Sequence, residues 1–580
     1  MRGTEWISFL IFLVLVYLQV FLSLKIPEYM SHITELMQKG ISELTVLAVP
    51  AVKMLLLSIG SLACAVISGI CLSFVSATII TKMREDLFSK IISFNLVEMK
   101  SFSASSLITR CTNDLEQVRL FISVGVQAII QCPLTLIMAV SKMRGNAVWM
   151  GAVIAMAAIL LIVTAILFSL SLSKTKKVQR LIDDANRIMK EHLSGMRVVH
   201  AYNGYQYQRS QFDKTNSELM RTNISATRYT GALAPFFSMC VNSLTLIIYI
   251  LGSYMIYTMD GVLVRQALFS DMVVFASYAL QAFNAFAMII VVLIAMPRLI
   301  ISLRRIIEVI DTENEIKDGP ATAGCGDTFG TIEFQNVSFR YPDASADSLS
   351  DISFSLRRGE TMAIIGPTGS GKTTLLNLIM RFYDATDGTV YVDGRDVRDY
   401  NLWALRDKIG YVPQKSFLFA GTIRTNIDYG AKGGLASTIG EIKKAAEVGQ
   451  SREFIEQKEG KFDARVEEGG SNFSGGQRQR LTISRAICRN PEFYLFDDSF
   501  SALDFKTDSV LRNKLKEYAK YATQVIVGQR IGSIMNADLI LVLDKGRLAG
   551  KGKHEELMEN CSVYREIALS QLLSEEVANG

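Results

Sequence analysis

The sequence lacks several patterns that would point to metal, disulfide or nucleic-acid chemistry. Its eight cysteines include no Cys-x-x-Cys pair and are scattered through apolar stretches and the C-terminal half. That spacing favours buried free thiols over a metal or disulfide role. The net charge is only +5 over 580 residues, which gives no reason to expect a nucleic-acid partner. A chain of this length is too long for one compact domain.

The first apolar run, Trp6 to Leu24, has no small-x-small cleavage site and is too long for a typical signal peptide. We therefore interpret it as a retained membrane helix. A helix needs about 20 mostly apolar residues to cross the hydrocarbon core. Six stretches meet that requirement: about 6–25, 46–75, 120–141, 147–172, 231–258 and 272–300.

Basic residues are few in three of the intervening loops and numerous in the other two. The short loops carry only Lys39, Lys142, Arg144 and Arg265, whereas 76–119 and 173–230 are long, basic and helical in pattern. The positive-inside rule places the long loops, both termini and the C-terminal domain in the cytoplasm. The absence of turn-rich breaks predicts that the spanning helices continue into the cytoplasm. The sequence thus predicts a multi-pass protein of the cell membrane.

The composition divides the chain into two domains. We predict an all-α, six-helix transmembrane domain over 1–311, a Gly- and Ala-rich linker over 312–328, and an α/β P-loop ATPase domain over 329–575. The fold class is therefore multidomain.

A glycine-rich loop between a β-rich run and a helical segment is the strongest motif. Thr361–Ile365 is followed by Gly366-Pro-Thr-Gly-Ser-Gly-Lys372-Thr373, the Walker A pattern in its strand–loop–helix context. Backbone N–H groups of such a loop surround phosphates, and the helix N-terminus adds attraction. We expect Lys372 to reach the β- and γ-phosphates and Thr373 to bind Mg²⁺. The predicted phosphate-binding residues are Gly366, Pro367, Thr368, Gly369, Ser370, Gly371, Lys372, Thr373 and Thr374.

Two further motifs follow in order. Phe493–Asp497 is an apolar strand pattern that ends in a carboxylate, the Walker B arrangement for Mg²⁺. Between the Walker motifs, Phe473-Ser474-Gly475-Gly476-Gln477 leads into a basic helix.

This set of motifs resembles the ATP-binding cassette (ABC) exporters, and the resemblance covers essentially the whole chain. It implies that Tyr341 stacks on adenine, that Gln414 links the Mg²⁺ site to the membrane domain, and that Ser474–Gln477 contact ATP. Thr373, Gln414 and Asp497 are then the metal-site residues, with ATP and Mg²⁺ as cofactors. The implied activity is that of an ATPase coupled to transmembrane transport.

Two positions depart from the family pattern. Asp498 stands where the family normally has the glutamate that polarises the attacking water, and its carboxylate is shorter by one methylene. Gln529 stands where the family has a histidine that contacts the γ-phosphate, and a glutamine cannot carry a positive charge. None of the four histidines lies in that segment. These catalytic positions predict a site that binds ATP but hydrolyses it slowly.

The family's ATPase domains dimerise head to tail, each ATP lying between one Walker A loop and the opposite signature loop. The sequence therefore resembles the degenerate-site subunit of heterodimeric bacterial multidrug exporters. Its nearly intact signature loop would complete a competent site on a second half-transporter.

The central parts of spans 3 to 6 lack ionised side chains. They offer aromatic and amide residues, which suit amphipathic or hydrophobic small molecules such as drugs or lipids. For any single one of them, ordinary helix packing is the better explanation, so no substrate-binding residue is assigned. Two alternatives share every motif: an importer on the same scaffold, and an ATP-gated channel or regulatory subunit. The sequence before span 1 contains no cysteine-protease domain, which disfavours a peptide exporter that processes its own substrate.

Overall fold

The computed structural model describes residues 3–38, 43–143, 147–326, 328–430 and 435–579. Two of the basic loop residues, Lys39 and Arg144, lie outside these ranges, as does Asp327 of the linker. The chain forms two compact units. One contains Met1–Ile92 and Ser103–Thr312, and the other contains Ser93–Phe102 and Glu313–Gly580.

The first unit is helical, and within the described residues six of its helical segments are long and apolar enough to cross a membrane. Only 17–22% of the most apolar window of each is buried, so most of that surface faces outward, as contact with lipid requires. The segments exceed the length needed for one crossing and so extend beyond the bilayer. Their bounds are Gly3–Gln38, Thr45–Ser93, Ala104–Lys142, Ala147–Ser194, Tyr205–Thr258 and Val262–Asp311.

Some of these segments consist of several shorter elements. Two π-helical turns, Arg110–Asp114 and Phe121–Gly125, interrupt the third segment. The α-helices of this unit, with the short helix that connects its second and third spans, are α1 (Gly3–Gln38), α2 (Leu44–Ser93), α3 (Leu96–Ser101), α4 (Ala104–Thr109), α5 (Leu115–Leu120), α6 (Val126–Lys142), α7 (Ala147–Ser194), α8 (Met196–Ala201), α9 (Tyr205–Gly231), α10 (Leu233–Thr258) and α11 (Val262–Asp311).

Aromatic side chains connect several helices in the core of the membrane unit. The rings of Trp149 and Phe275 lie 5.1 Å apart, and those of Phe237 and Phe283 lie 5.5 Å apart. The hydroxyl of the buried Tyr278 donates to the backbone oxygen of Leu24 at 3.1 Å. These contacts join α7, α10 and α1 to α11, because large rings bury much area and a buried phenol needs a hydrogen-bond partner.

The strands of the second unit are β1 (Ile332–Phe339), β2 (Leu349–Leu356), β3 (Thr361–Ile365), β4 (Asp387–Val392), β5 (Arg395–Asp396), β6 (Ile409–Val412), β7 (Gly421–Thr422), β8 (Arg465–Val466), β9 (Phe493–Asp497), β10 (Thr523–Val527), β11 (Leu539–Asp544) and β12 (Arg547–Gly552). Within the described residues they form three sheets. The largest has six strands in the order β12-β11-β3-β10-β9-β6, and a four-stranded antiparallel sheet has the order β2-β1-β4-β5. The third sheet pairs β7 with β8.

The α-helices of this unit lie between these strands or after the last of them. They are α12 (Lys372–Ile379), α13 (Leu402–Asp407), α14 (Ile423–Ile427), α15 (Ile439–Val448), α16 (Arg452–Glu456), α17 (Gly475–Cys488), α18 (Phe505–Tyr518), α19 (Ile531–Ile534), α20 (His554–Asn560) and α21 (Ser562–Asn579). The multidomain prediction of six apolar helices followed by an α/β ATPase domain is confirmed.

The order of the six-stranded sheet places the sequence motifs together. Strands β6, β9, β10, β3 and β11 run parallel, with Val527 opposite both Asp497 and Ile364. The carboxyl ends of parallel strands meet at one edge of a sheet, where ligands of open α/β folds bind. The loops that follow β3, β6, β9 and β10 therefore converge there, although their residues are far apart in sequence.

Candidate nucleotide site

The glycine-rich loop leaves the central strand β3 and ends at α12. Gly369 and Gly371 have φ values of 82° and 98°, which side-chain-bearing residues rarely adopt. A Cβ on Gly371 would lie 2.8 Å from the backbone oxygen of Ser348, so the loop has no room for one. The backbone can then approach a phosphate closely, and the N-terminus of α12 favours negative charge.

The Lys372 ammonium lies inside this loop. Its Nζ donates to the backbone oxygens of Gly366 at 2.9 Å and Pro367 at 2.7 Å. Burial lowers the pKa of Lys372, while Asp498 and Asp497 oppose that shift. The ammonium is thus positioned by the loop and attracted by carboxylates, as expected of a lysine that contacts phosphate oxygens.

Two oxygen ligands suited to Mg²⁺ face each other beside the loop. Thr373 Oγ1 donates to Asp497 Oδ1 at 3.0 Å. Burial raises the pKa of Asp497, and the neighbouring carboxylate of Asp498 raises it further, whereas the hydrogen bond from Thr373 lowers it. A hard cation would take both oxygens and stabilise the charged carboxylate, so these residues fit the predicted Mg²⁺ role.

The two departures from the family pattern contact each other. Gln529 Nε2 donates to Asp498 Oδ2 at 2.7 Å, and Gln414 Nε2 lies 3.4 Å from the same oxygen. Asp498 also adopts a φ of 48°, in a region that Asp occupies more readily than most residues. One oxygen of the shortened carboxylate therefore already accepts hydrogen bonds from amides, and burial raises the pKa of Asp498.

Tyr341 occupies the other end of the site. Its hydroxyl lies 3.0 Å from Thr374 Oγ1, and its ring makes edge contacts with Phe339 and Tyr383 at centroid distances of 4.8 and 5.1 Å. These contacts fix the plane of the ring. A fixed aromatic face at the mouth of a phosphate site can stack on a base.

Most of the predicted site residues line a single cavity of about 340 Å³. Its lining includes Tyr341, Thr368, Gly369, Gly371, Lys372, Thr373, Thr374, Gln414, Asp497, Asp498 and Gln529. Gly366, Pro367 and Ser370 lie in the loop but outside this lining, and all three accept hydrogen bonds from Lys372. Val527 and Ser348 line the cavity without having been predicted. Val527 ends β10 next to the Gln529 segment and could have been found; Ser348 carries no sequence signal.

The signature residues do not line this cavity. Ser474 is the N-cap of α17, where its hydroxyl accepts from the backbone N–H of Gln477 at 3.3 Å and Gln477 bonds back to Ser474. Phe473 is buried, with the Lys458 ammonium 4.4 Å from its ring centroid. Ser474, Gly475, Gly476 and Gln477 thus form a capped helix N-terminus, which can bind an anion supplied by another chain.

A second cavity, of about 400 Å³, lies within the membrane unit. It is formed by α7, α9, α10 and α11, and its lining is mostly apolar, with the polar residues Thr164, Thr230 and Asn284. Asn284 is exposed, and no hydrogen bond of its side chain is found in the described part of the chain. An amide inside a membrane span is costly unless it faces a cavity or a partner.

Both halves of the chain match known sequence families. Residues 9–286 match the sequence family described as ABC transporter transmembrane region, and residues 349–501 match the one described as ABC transporter. An uncharacterised ABC transporter ATP-binding protein of Mycobacterium tuberculosis is 36% identical over 501 residues, which cover 85% of this chain and 84% of that protein.

Two further proteins are similar over nearly as much of the chain. The ATP-dependent lipid A-core flippase of Aliivibrio fischeri is 28% identical, with 86% of this chain and 84% of that protein covered. A solved structure of a bacterial Atm1-family ABC exporter with ATP bound has a TM-score of 0.83 and 23% identity, covering 98% of this chain and 99% of that chain. At that identity the likeness shows the fold alone.

Proposed function

Because the chain belongs to the ABC transporter family, as an exporter-type half-transporter that uses ATP and Mg²⁺, we propose that it exports hydrophobic or amphipathic compounds as one subunit of a heterodimer. In this proposal its own Walker site retains ATP and hydrolyses it slowly. Its Ser474–Gln477 loop completes the faster site on the partner.

The contact between Asp498 and Gln529 carries the proposal. A general base needs a free carboxylate oxygen within hydrogen-bond reach of the attacking water. Here the Gln529 amide donates to Asp498 Oδ2 at 2.7 Å, and that carboxylate is one methylene shorter than the family's glutamate. The phosphate loop, Lys372, Thr373 and Asp497 keep the arrangement expected for binding. This combination favours occupancy over turnover.

The membrane cavity supports the proposed substrate class. Its apolar lining and its single amide, Asn284, suit an uncharged or weakly polar molecule that makes one or two hydrogen bonds. The flippase among the relatives is named for a lipid substrate, and a Bacillus subtilis relative, 31% identical over 504 residues, is provisionally named for multidrug export. These names favour export over import or ion conduction.

In the proposed cycle the residues of this chain act by binding and positioning. Lys372 and the loop N–H groups would hold the phosphates, while Thr373 and Asp497 would hold a Mg²⁺ ion, which would neutralise part of the phosphate charge. Asp498, held by Gln529, leaves the water poorly polarised. ATP therefore stays in this site while the partner's site completes turnover and resets the transporter.

The test compares ATPase rates in the assembled heterodimer. Asp498→Ala should lower the rate far less than removal of the partner's catalytic glutamate, because the partner's site does most of the hydrolysis. Equal losses would refute the proposal. Rapid turnover by this chain alone, reconstituted without a partner, would refute it as well.

A further inference from the structure

The segment that connects spans 2 and 3 packs within the ATPase unit. Its carboxylate Glu98 is only 5% exposed and accepts from the backbone N–H of Glu315 at 2.7 Å and of Asn95 at 2.9 Å. The rings of Phe94 and Phe102 stack at a centroid distance of 5.9 Å, and Val97 packs against the hydrophobic core of the ATPase unit. The whole turn from Ser93 to Phe102 is therefore fixed to that unit.

One cation of this turn lies over the adenine end of the nucleotide site. Lys100 Nζ is 4.8 Å from the centroid of the Tyr341 ring and 5.5 Å from that of Tyr383. No carboxylate forms an ion pair with Lys100 among the described residues, so the two rings are its observed partners. Tyr341 lines the nucleotide cavity whereas Lys100 does not. The ammonium thus contacts the ring without forming part of the cavity wall.

This geometry lets the cation and a base use the same ring together. A cation is attracted by the electron-rich face of an aromatic ring. It also draws electron density toward itself, which makes the side that faces the cavity a better partner for an electron-rich purine. The edge contacts of Tyr341 with Tyr383 prevent the ring from turning away.

We propose that Lys100 is a positioning residue for the purine base and that it links the base end of the site to the turn between spans 2 and 3. The inference rests on Tyr341 stacking on adenine, which belongs to the proposed site. Binding linkage is reciprocal, so ATP that gains affinity from Lys100 must hold the 93–102 turn more firmly in return. A polyphosphate, which has no base, cannot hold the turn in this way.

The experiment measures binding to the full-length chain in nanodiscs by calorimetry, with MgATP and with magnesium tripolyphosphate, which has no base. Lys100→Met should weaken MgATP binding by about three- to tenfold, as loss of a cation–π contact implies, and should leave tripolyphosphate unchanged. Lys100→Arg should retain the affinity for MgATP. Lys82→Met, an exposed lysine of the same loop, is the matched control and should change neither.

If Lys100→Met weakens the binding of MgATP and of tripolyphosphate equally, Lys100 acts only as a distant charge. If MgATP binding is unchanged, Lys100 does not act at all. Either result overturns the proposal. Tryptic cleavage after Lys100 in the unmodified chain gives a test that needs no variant. MgATP, but not tripolyphosphate, should slow it, and equal protection by both overturns the linkage. Tyr341→Ala separates the two proposals: if it does not reduce the advantage of ATP over tripolyphosphate, the adenine assignment itself fails.

Discussion

Restoring the two departures should convert the proposed slow site into a fast one. The perturbation is the double substitution Asp498→Glu with Gln529→His in the full-length chain. It lengthens the side chain that carries the carboxylate by one methylene, and it removes the Gln529 amide that now donates to Asp498 Oδ2 at 2.7 Å. The chain keeps its own signature loop, so two copies would form two restored sites.

The expected gain follows from the size of these effects. A positioned general base contributes about 10²- to 10⁴-fold, and a displacement of about 1 Å can cost about 10²-fold. A hydrogen bond to a charged acceptor contributes about 1.5–3 kcal/mol, so the bond from Gln529 alone can hold the carboxylate in an unproductive position. We therefore expect the ATPase rate to rise by at least about 10²-fold, the lower end of that range.

The assay is phosphate release by the purified chain in nanodiscs, with dimer formation checked by mass photometry. Lys372→Ala gives the background rate, and MgATP affinity should change little because the phosphate loop is untouched. The φ of 48° at position 498 suits Asp better than Glu, so the melting temperature of the variant is measured alongside. A folded, dimeric, ATP-binding variant whose rate rises less than threefold would refute the reasoning.

Three further predictions test separate parts of the structure. Asn284→Leu should raise the half-saturating concentration of Hoechst 33342 by up to about tenfold in ATP-dependent uptake by inside-out vesicles, because the membrane cavity loses its amide. Asn242→Leu removes an exposed amide outside that cavity and should not raise it. Equal effects of the two substitutions would contradict the proposal that the cavity binds substrate. Lys408→Met should lower the melting temperature of the full chain. Lys408 Nζ pairs with Asp393 at 2.7 Å and Glu492 at 2.8 Å, and its loss leaves a buried carboxylate unpaired, at a cost of about 3–5 kcal/mol. An unchanged melting temperature would show that these ion pairs are not needed for stability. Burial and Asp498 raise the pKa of Asp497, so protons should compete with Mg²⁺ at a higher pH than for an ordinary Asp. MgATP binding should therefore weaken as the pH falls through that raised pKa, and Asp498→Asn should move this loss of binding to lower pH. ATP binding in EDTA is the control, and a pH profile that Asp498→Asn does not move would contradict the electrostatic coupling of the two carboxylates.

The sequence alone determined the architecture and the nucleotide chemistry. Long apolar runs predict spanning helices because the bilayer requires about 20 apolar residues, whatever packs around them. The glycine-rich loop of 366–373 is equally local, since adjacent residues supply the backbone conformation, the lysine and the metal ligand. The strands Thr361–Ile365 and Phe493–Asp497 were predicted with the bounds that the structure has.

Only the tertiary structure decided which distant residues touch. The sequence identified Asp498 and Gln529 separately, but the order of β9 and β10 in the sheet brings their side chains to 2.7 Å. In the same way, the sequence showed Lys100 only as one basic residue of the cytoplasmic loop 76–119. The tertiary structure places the 93–102 turn within the ATPase unit and the Lys100 ammonium over the Tyr341 ring. Strand order and docking depend on packing between segments hundreds of residues apart, and no local pattern encodes those contacts.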